Sequence, residues 1–201
     1  MSTLDAASGA YLYQQKFTGV ALKGVTLEGK EFDACAFRRC TFQETTFQGC
    51  VFRDSSFLEC DLSLAQVRDS SFVKVAFTKC RLTGINWANA RWPSVALHTP
   101  VTFDECLLSY SVFQGVALKK AAFLNCVAHE TEFSDADLSG CDFAGTDLAG
   151  AIFNNTNLSG AHLERAHNYT IDLRANKVSG ALFSFPEAAA LLRAAGIVIV
   201  D

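Results

Sequence analysis

Thr131-Glu132-Phe133-Ser134-Asp135, Ala136-Asp137-Leu138-Ser139-Gly140, Cys141-Asp142-Phe143-Ala144-Gly145, Thr146-Asp147-Leu148-Ala149-Gly150, Ala151-Ile152-Phe153-Asn154-Asn155, Thr156-Asn157-Leu158-Ser159-Gly160, Ala161-His162-Leu163-Glu164: written in fives, this stretch repeats without a gap. The unit is a small residue, a polar one, Phe or Leu, a small polar one, then often Gly. A period of five matches neither the 3.6 of a helix nor the 2 of a strand. A short fixed period marks an array of stacked units rather than a globular core.

The same period runs outward in both directions. The central Phe/Leu position recurs every five residues from Phe17 to Leu97, slips by one, and resumes from Phe103 to Phe183. Of these 34 positions, 32 hold Phe, Leu, Val or Trp, and the exceptions are Ala128 and Asn168. Sixteen of the 17 Phe residues lie there, so the central residue is the one the chain buries. All eight Cys residues fall two positions before it, and 11 of 13 Gly residues fall two positions after. The Gly preference suits the third residue of a type II turn, where φ is positive. Each unit therefore reads as a short extended segment plus one tight turn.

In this register the chain resembles the pentapeptide-repeat proteins over most of its length, from about Leu12 to Phe183. The resemblance implies an all-β, right-handed quadrilateral β-helix, four units to a square coil. The central residue and the one two before it would point inward. Thirty-four units make about eight to nine coils, a rod ~40 Å long at the usual ~4.8 Å strand spacing. We expect residues 1–11 to form an N-terminal arm or partial coil. Residues 12–183 would form the β-helix, interrupted near 92–102, and residues 184–201 a C-terminal cap and dimerisation segment.

Composition bounds the function. Half of the residues are hydrophobic, yet no run approaches the 18 or so needed to span a membrane. The first ten residues lack the basic start and apolar core of a signal peptide, so a cytoplasmic protein with no membrane partner is expected. No Cys-x-x-Cys occurs, and every Cys sits at an inward position, so free, buried thiols are expected and no metal. The four histidines, His98, His129, His162 and His167, form no nucleophile or ligand motif. The chain reads as a non-enzyme without a cofactor.

Between Trp87 and Phe103 the pattern strains, with both Trp residues, Pro93 and Pro100 inside it. Either one residue bulges, or one unit plus one residue is extruded as a loop. Proline suits both. Because loops on rigid scaffolds often carry recognition, Arg91, Trp92, Pro93, Ser94, His98, Thr99 and Pro100 are candidate partner contacts.

Charge is uneven. Residues 1–120 carry 13 Lys/Arg against 11 Asp/Glu, whereas residues 121–164 carry seven acids and no Lys or Arg. Glu132, Asp137, Asp142 and Asp147 each precede the central residue in four consecutive units, so they should ring one coil, one acid per face. With Glu130 and Asp135 beside them, they form a candidate acidic surface with a long-range anionic field. Beyond Phe183, a short helix is expected from Ser184 or Phe185 to Gly196, with Pro186 in its first turn. The β-branched run Ile197, Val198, Ile199, Val200 should make a strand. Phe185, Leu191, Leu192 and that run are candidate dimer contacts, because they exceed what one coil end needs as a cover.

A narrower resemblance rests on Asn86-Trp87, Trp92-Pro93-Ser94-Val95, Asn168-Tyr169 and the tail from Phe183 to Leu192. These are similar to the topoisomerase-protecting members of the family, the Qnr quinolone-resistance and MfpA proteins, with the albicidin-resistance branch nearest. That resemblance implies a homodimeric, DNA-mimicking anionic rod. It would occupy the DNA-binding saddle of DNA gyrase or topoisomerase IV and shield it from a poison, binding no nucleic acid itself. The alternative is a structural or protein-interaction solenoid without topoisomerase activity.

Overall fold

The computed structural model describes residues 11–92 and 101–198. The chain winds as a parallel β-solenoid of about eight turns. On the first face, Lys16–Thr18, Ala36–Arg38, Ser56–Leu58, Ala76–Thr78, Thr102–Asp104 and Ala122–Leu124 make a six-stranded parallel sheet. On the fourth face, Tyr11–Tyr13, Glu31–Asp33, Val51–Arg53 and Ser71–Val73 make a four-stranded one. The third face begins with Thr26–Glu28 paired to Thr46–Gln48, and the second is a ladder of single bridges from Ala21↔Thr41 onward.

One unit shows how the backbone is satisfied. Thr41 N–H donates to Val20 O of the previous coil, while Phe42 N–H and Glu44 N–H donate to Asp61 O and Ser63 O of the next. Thr45 N–H then turns back to Phe42 O at 3.1 Å, closing the turn around Glu44 at φ 57°. This is the turn anticipated from the glycines, and it also holds at non-glycine positions. At some glycines a longer side chain of the preceding coil lies across the turn and would have to shift to admit a larger residue. A β-carbon at Gly84 would stand 2.7 Å from Leu64 Cδ2, and one at Gly145 would stand 2.5 Å from Asn125 Oδ1.

The interior is a set of ring stacks. Phe17, Phe37, Phe57, Phe77, Phe103, Phe123 and Phe143 stack face to face at 4.5–5.4 Å between neighbouring centroids. Rings on adjacent faces meet edge-on, as Phe32 and Phe37 do at 5.3 Å. Each buried ring is worth roughly 1.5–3 kcal/mol against exposure. Two positions earlier, small polar side chains serve the backbone. Thr45 Oγ1 donates to Leu22 O at 2.8 Å and Ser70 Oγ to Phe47 O at 2.9 Å. Cysteine does the same job more weakly: Cys60 Sγ lies 3.5 Å from Phe37 O and Cys80 Sγ 3.4 Å from Phe57 O. All eight cysteines are free and buried. Burial pushes the thiols of Cys35 and Cys50 up, and that of Cys141 up to about 12.

The register decides between the two readings of the irregular stretch. Phe57 pairs with Phe77, 20 positions on, but Phe77 pairs with Phe103, 26 positions on. Ser71 still pairs with Arg91, so the six additional residues lie between Trp92 and Phe103: one unit plus one residue, not a single bulge. The first-face stack passes directly from Phe77 to Phe103.

The pattern departs from expectation near the C-terminus. Asn168 adopts φ 60° and faces solvent, and Tyr169, 3 % exposed, turns inward beside Phe183. Leu173, expected inside, is 36 % exposed, while Ile171 and Asn176 are buried. Asn176 Nδ2 donates to Phe153 O at 3.0 Å, replacing the hydroxyl or thiol found elsewhere. The helix is shorter than anticipated, Ala189–Ala194, and turns precede it over residues 185–188. No side chain caps its N-terminus, and Gly196 at φ 80° ends it. Ile197 and Val198 are in no strand.

Candidate partner-binding surface

The four ring acids occupy four different faces, as the period demands. Their pairing partners on the preceding coil are Val112, Ala117, Ala122 and Val127, one on each face. All four are half-buried, because each carboxylate curls back onto the backbone N–H two residues on: Glu132 to Ser134, Asp137 to Ser139, Asp142 to Ala144 and Asp147 to Ala149, at 2.8–3.2 Å. Such short-range acceptors stabilise a turn. The acids are therefore built into the coil rather than carried on free side chains. Glu130 and Asp135 stand further out in the exposed turn position.

The field around the ring is not uniform. Residues 121–164 contain no Lys or Arg, yet Lys119, one coil back, places Nζ 3.2 Å from Asp137 Oδ2. Burial pushes the Asp137 carboxyl up, but the hydrogen bonds from Ser139 and Lys119 outweigh it and hold it below the usual range. Asp147 accepts Asn168 Nδ2 at 2.8 Å and lies 2.8 Å from His129 Nε2. Its desolvation is likewise outweighed, by His129, Asn168 and the Ala149 N–H. Asp135 accepts Asn155 Nδ2 at 2.8 Å. Glu132 and Asp142, on the third and first faces, keep the most open charge of the ring. The imidazoles around Asp147 escaped the sequence reading. The only signal for them was a separation of about one coil, 18 positions from His129 and 20 to His167.

Elsewhere, opposite charges on neighbouring coils pair along the corners: Arg39 with Glu59 at 2.7 Å, Arg53 with Glu31 at 3.1 Å, Lys79 with Glu105 at 3.5 Å. Exposed pairs of this kind are each worth about 0–1 kcal/mol, so they set the charge pattern more than the stability. Arg91 belongs to this set, 3.3 Å from Asp69.

Trp92 follows its place in the central series rather than that of a fully exposed contact. It is half-buried, with its ring 6.2 Å from Phe72 and Nε1–H donating to Trp87 O at 2.9 Å. It extends the fourth-face stack instead of presenting itself to a partner. Pro93, Ser94, His98, Thr99 and Pro100 lie outside the described residues.

Among the tail residues, Leu191 is buried against the last coils and is unavailable to a second chain, because the helix turns that side inward as a lid. Phe185 (85 % exposed), Leu192, Ile197 and Val198 (85 %), joined by Leu182, leave apolar surface open to solvent. Ile199 and Val200 lie outside the described residues. No helix of the described residues is long and apolar enough to cross a membrane.

The comparisons with known proteins agree with this geometry. The pentapeptide repeat region family matches residues 30–99, and pentapeptide repeats (8 copies) match residues 131–167, together more than half of the chain. No curated protein matches. Among solved structures, trypsin-treated QnrB1, a plasmid-mediated fluoroquinolone resistance protein, is 21% identical, with a TM-score of 0.71 over 95% of this chain and 99% of that one. Full-length QnrB1 gives 0.64 at 21% identity, over 90% of this chain and 100% of that one. HetL, a pentapeptide repeat protein involved in heterocyst differentiation regulation from the cyanobacterium Nostoc, gives 0.52 at 16% identity, over 89% of each chain. At these identities the likeness is one of fold. Register, interior and family matches converge, and the chain belongs to the pentapeptide-repeat proteins.

Proposed function

We propose that this protein is a non-enzymatic, cytoplasmic DNA mimic. It binds a type II topoisomerase, DNA gyrase or topoisomerase IV, and protects it from a poison. The observation that carries the reading is the acidic coil: six carboxylates from Glu130 to Asp147 on a rigid rod, four of them (Glu132, Asp137, Asp142 and Asp147) held by backbone hydrogen bonds, with no Lys or Arg in the same stretch. Duplex DNA owes much of its protein affinity to a dense line of fixed negative charge meeting Lys and Arg, and any substitute must offer the same. Rigid placement matters because charges fixed in advance lose little entropy on binding.

The tail adds symmetry. A second copy docked through Phe185, Leu192 and Val198 would give a two-fold rod with its acidic coils flanking the axis, matching the two-fold DNA gate of the enzyme. Oligomers of one chain favour such closed interfaces. Similarity to a fluoroquinolone resistance protein supports protection as the outcome. The tail and Asn168-Tyr169 favour the albicidin-resistance branch, typified by AlbG.

The second reading is a structural or protein-interaction solenoid. It is favoured by the pairing of Asp137 with Lys119 and of Asp147 with His129, and by the same fold in HetL, a regulator of differentiation. Gyrase supercoiling assays with and without albicidin or a quinolone separate the two. Rescue of supercoiling at near-stoichiometric protein supports protection. No effect on supercoiling in either condition supports the solenoid reading.

A further inference from the structure

The second face carries a cluster that only the coil register assembles. His129, Asp147 and His167 come from three successive coils, with Val127 paired to Asp147 and Asp147 to His167. Asp147 Oδ1 is taken by Asn168 Nδ2 at 2.8 Å and the Ala149 N–H at 3.2 Å. Oδ2 faces the two imidazoles, 2.8 Å from His129 Nε2 and 3.7 Å from His167 Nε2. His129 Nε2 is itself shut away from solvent and, although 2.8 Å from Asp147 Oδ2, has no partner in hydrogen-bond geometry. The other groups on this face are the Glu130 carboxylate, lying across Gly150, and the Arg165 carbonyl, 3.4 Å from His167 Nδ1.

These partners assign the protons. Two lone pairs 2.8 Å apart would repel, which favours a hydrogen on His129 Nε2 even though the contact is off the line of a hydrogen bond, and a second proton then enters at Nδ1. Neutral His167 donates from Nδ1 to the Arg165 carbonyl, so its second proton enters at Nε2, on the Asp147 side.

We propose that His129, Asp147 and His167 form a proton-operated charge switch on the acidic coil. With both imidazoles neutral, Asp147 and Glu130 give this face two negative charges. With both protonated, the two added charges offset those of Asp147 and Glu130, with the exposed Arg165 as a fixed cation nearby, and three coils are drawn together around one carboxylate. Imidazole is the side chain whose unperturbed charge change lies between pH 5 and 8. Partner binding would be strong above neutrality and weak below it, a consequence that rests on the partner-binding reading above.

The test has two arms. In the first, imidazole proton resonances are followed from pH 5 to 8.5 in the full chain and in Asp147→Asn. The His129 and His167 resonances should respond to pH differently in the two proteins, because the Asp147 charge lies beside both rings. Transitions unmoved by the substitution would overturn the switch. In the second, binding to protamine (a generic polycation) and to gyrase is compared at pH 6 and pH 8 in low salt. Wild type should bind both about three- to tenfold more weakly at pH 6, the size expected when one or two ionic contacts are lost. The double variant His129→Gln, His167→Gln should lose most of this dependence, and an equal dependence in that variant overturns the switch. Failure to bind gyrase at any pH, with the titration and protamine arms as expected, would instead reject the topoisomerase reading alone.

Discussion

Phe143 shows what one residue of this chain does. It stacks on Phe123 at 4.9 Å, meets Phe133 edge-on at 5.8 Å and is fully buried. Replacing it by Ala opens a cavity that the square coil cannot collapse around, because the backbone ladders on all four sides hold their spacing. We expect a loss of about 3–5 kcal/mol in urea unfolding. The outward Ser159, replaced by Ala, should cost under about 0.5 kcal/mol. Equal costs would contradict the inside-outside assignment. The cysteines make a second prediction at this scale. Their thiols lie against carbonyls of the preceding coil, and burial raises the thiols of Cys35, Cys50 and Cys141, disfavouring the reactive thiolate. Native protein should react slowly with a thiol reagent and fully only after denaturation. Rapid labelling of several sites in the folded state would contradict this.

At the scale of the element, the five-residue unit was legible in the sequence because its two inward positions obey strict rules of size. A Phe or Leu every fifth residue has no other use, and the turn glycines fell where φ is positive. Legibility failed where one residue could trade places with its neighbour. Asn168 holds the central position, but its ease in the left-handed region lets Tyr169 turn inward instead, and Leu173 is left outside. The lid failed in a similar way: a six-residue helix has one buried side, and composition alone did not reveal that Leu191 would take it while Leu192 stayed out. Trp92 stood both in the central series and among the candidate contacts of the irregular stretch, and its indole follows the series by extending a stack. The open apolar residues give the element its prediction. Phe185→Glu with Val198→Glu should convert a dimer into a well-folded monomer by light scattering, whereas Leu191→Glu should destabilise the cap. A wild-type protein that stays monomeric at high micromolar concentration would contradict the dimer.

At the scale of the molecule, the sequence separates residues that the coil brings together. Counting charges along residues 121–164 suggested an unbalanced anionic field. A coil of 20 residues, however, sets Lys119 against Asp137, and His129 and His167 against Asp147. The ring acids were legible as a pattern, but their partners were not, because a window along the chain cannot see the neighbouring coil. The six additional residues between Trp92 and Phe103 were visible only as a slip of one, since a whole unit adds nothing to the phase. What remains after these corrections is a rigid rod whose negative charge is concentrated near its C-terminal end and held by its own backbone.

The central claim is that this charge stands in for DNA, and the salt dependence of gyrase binding tests it most directly. The triple variant Asp137→Asn, Asp142→Asn, Asp147→Asn keeps an oxygen acceptor for each turn N–H, so the fold should be retained by circular dichroism. For wild type, log affinity should fall linearly with log salt, as it does for DNA. The triple variant should bind more weakly at low salt, with a slope shallower by about one to three units. A triple variant that binds with wild-type affinity and an unchanged slope would contradict the account.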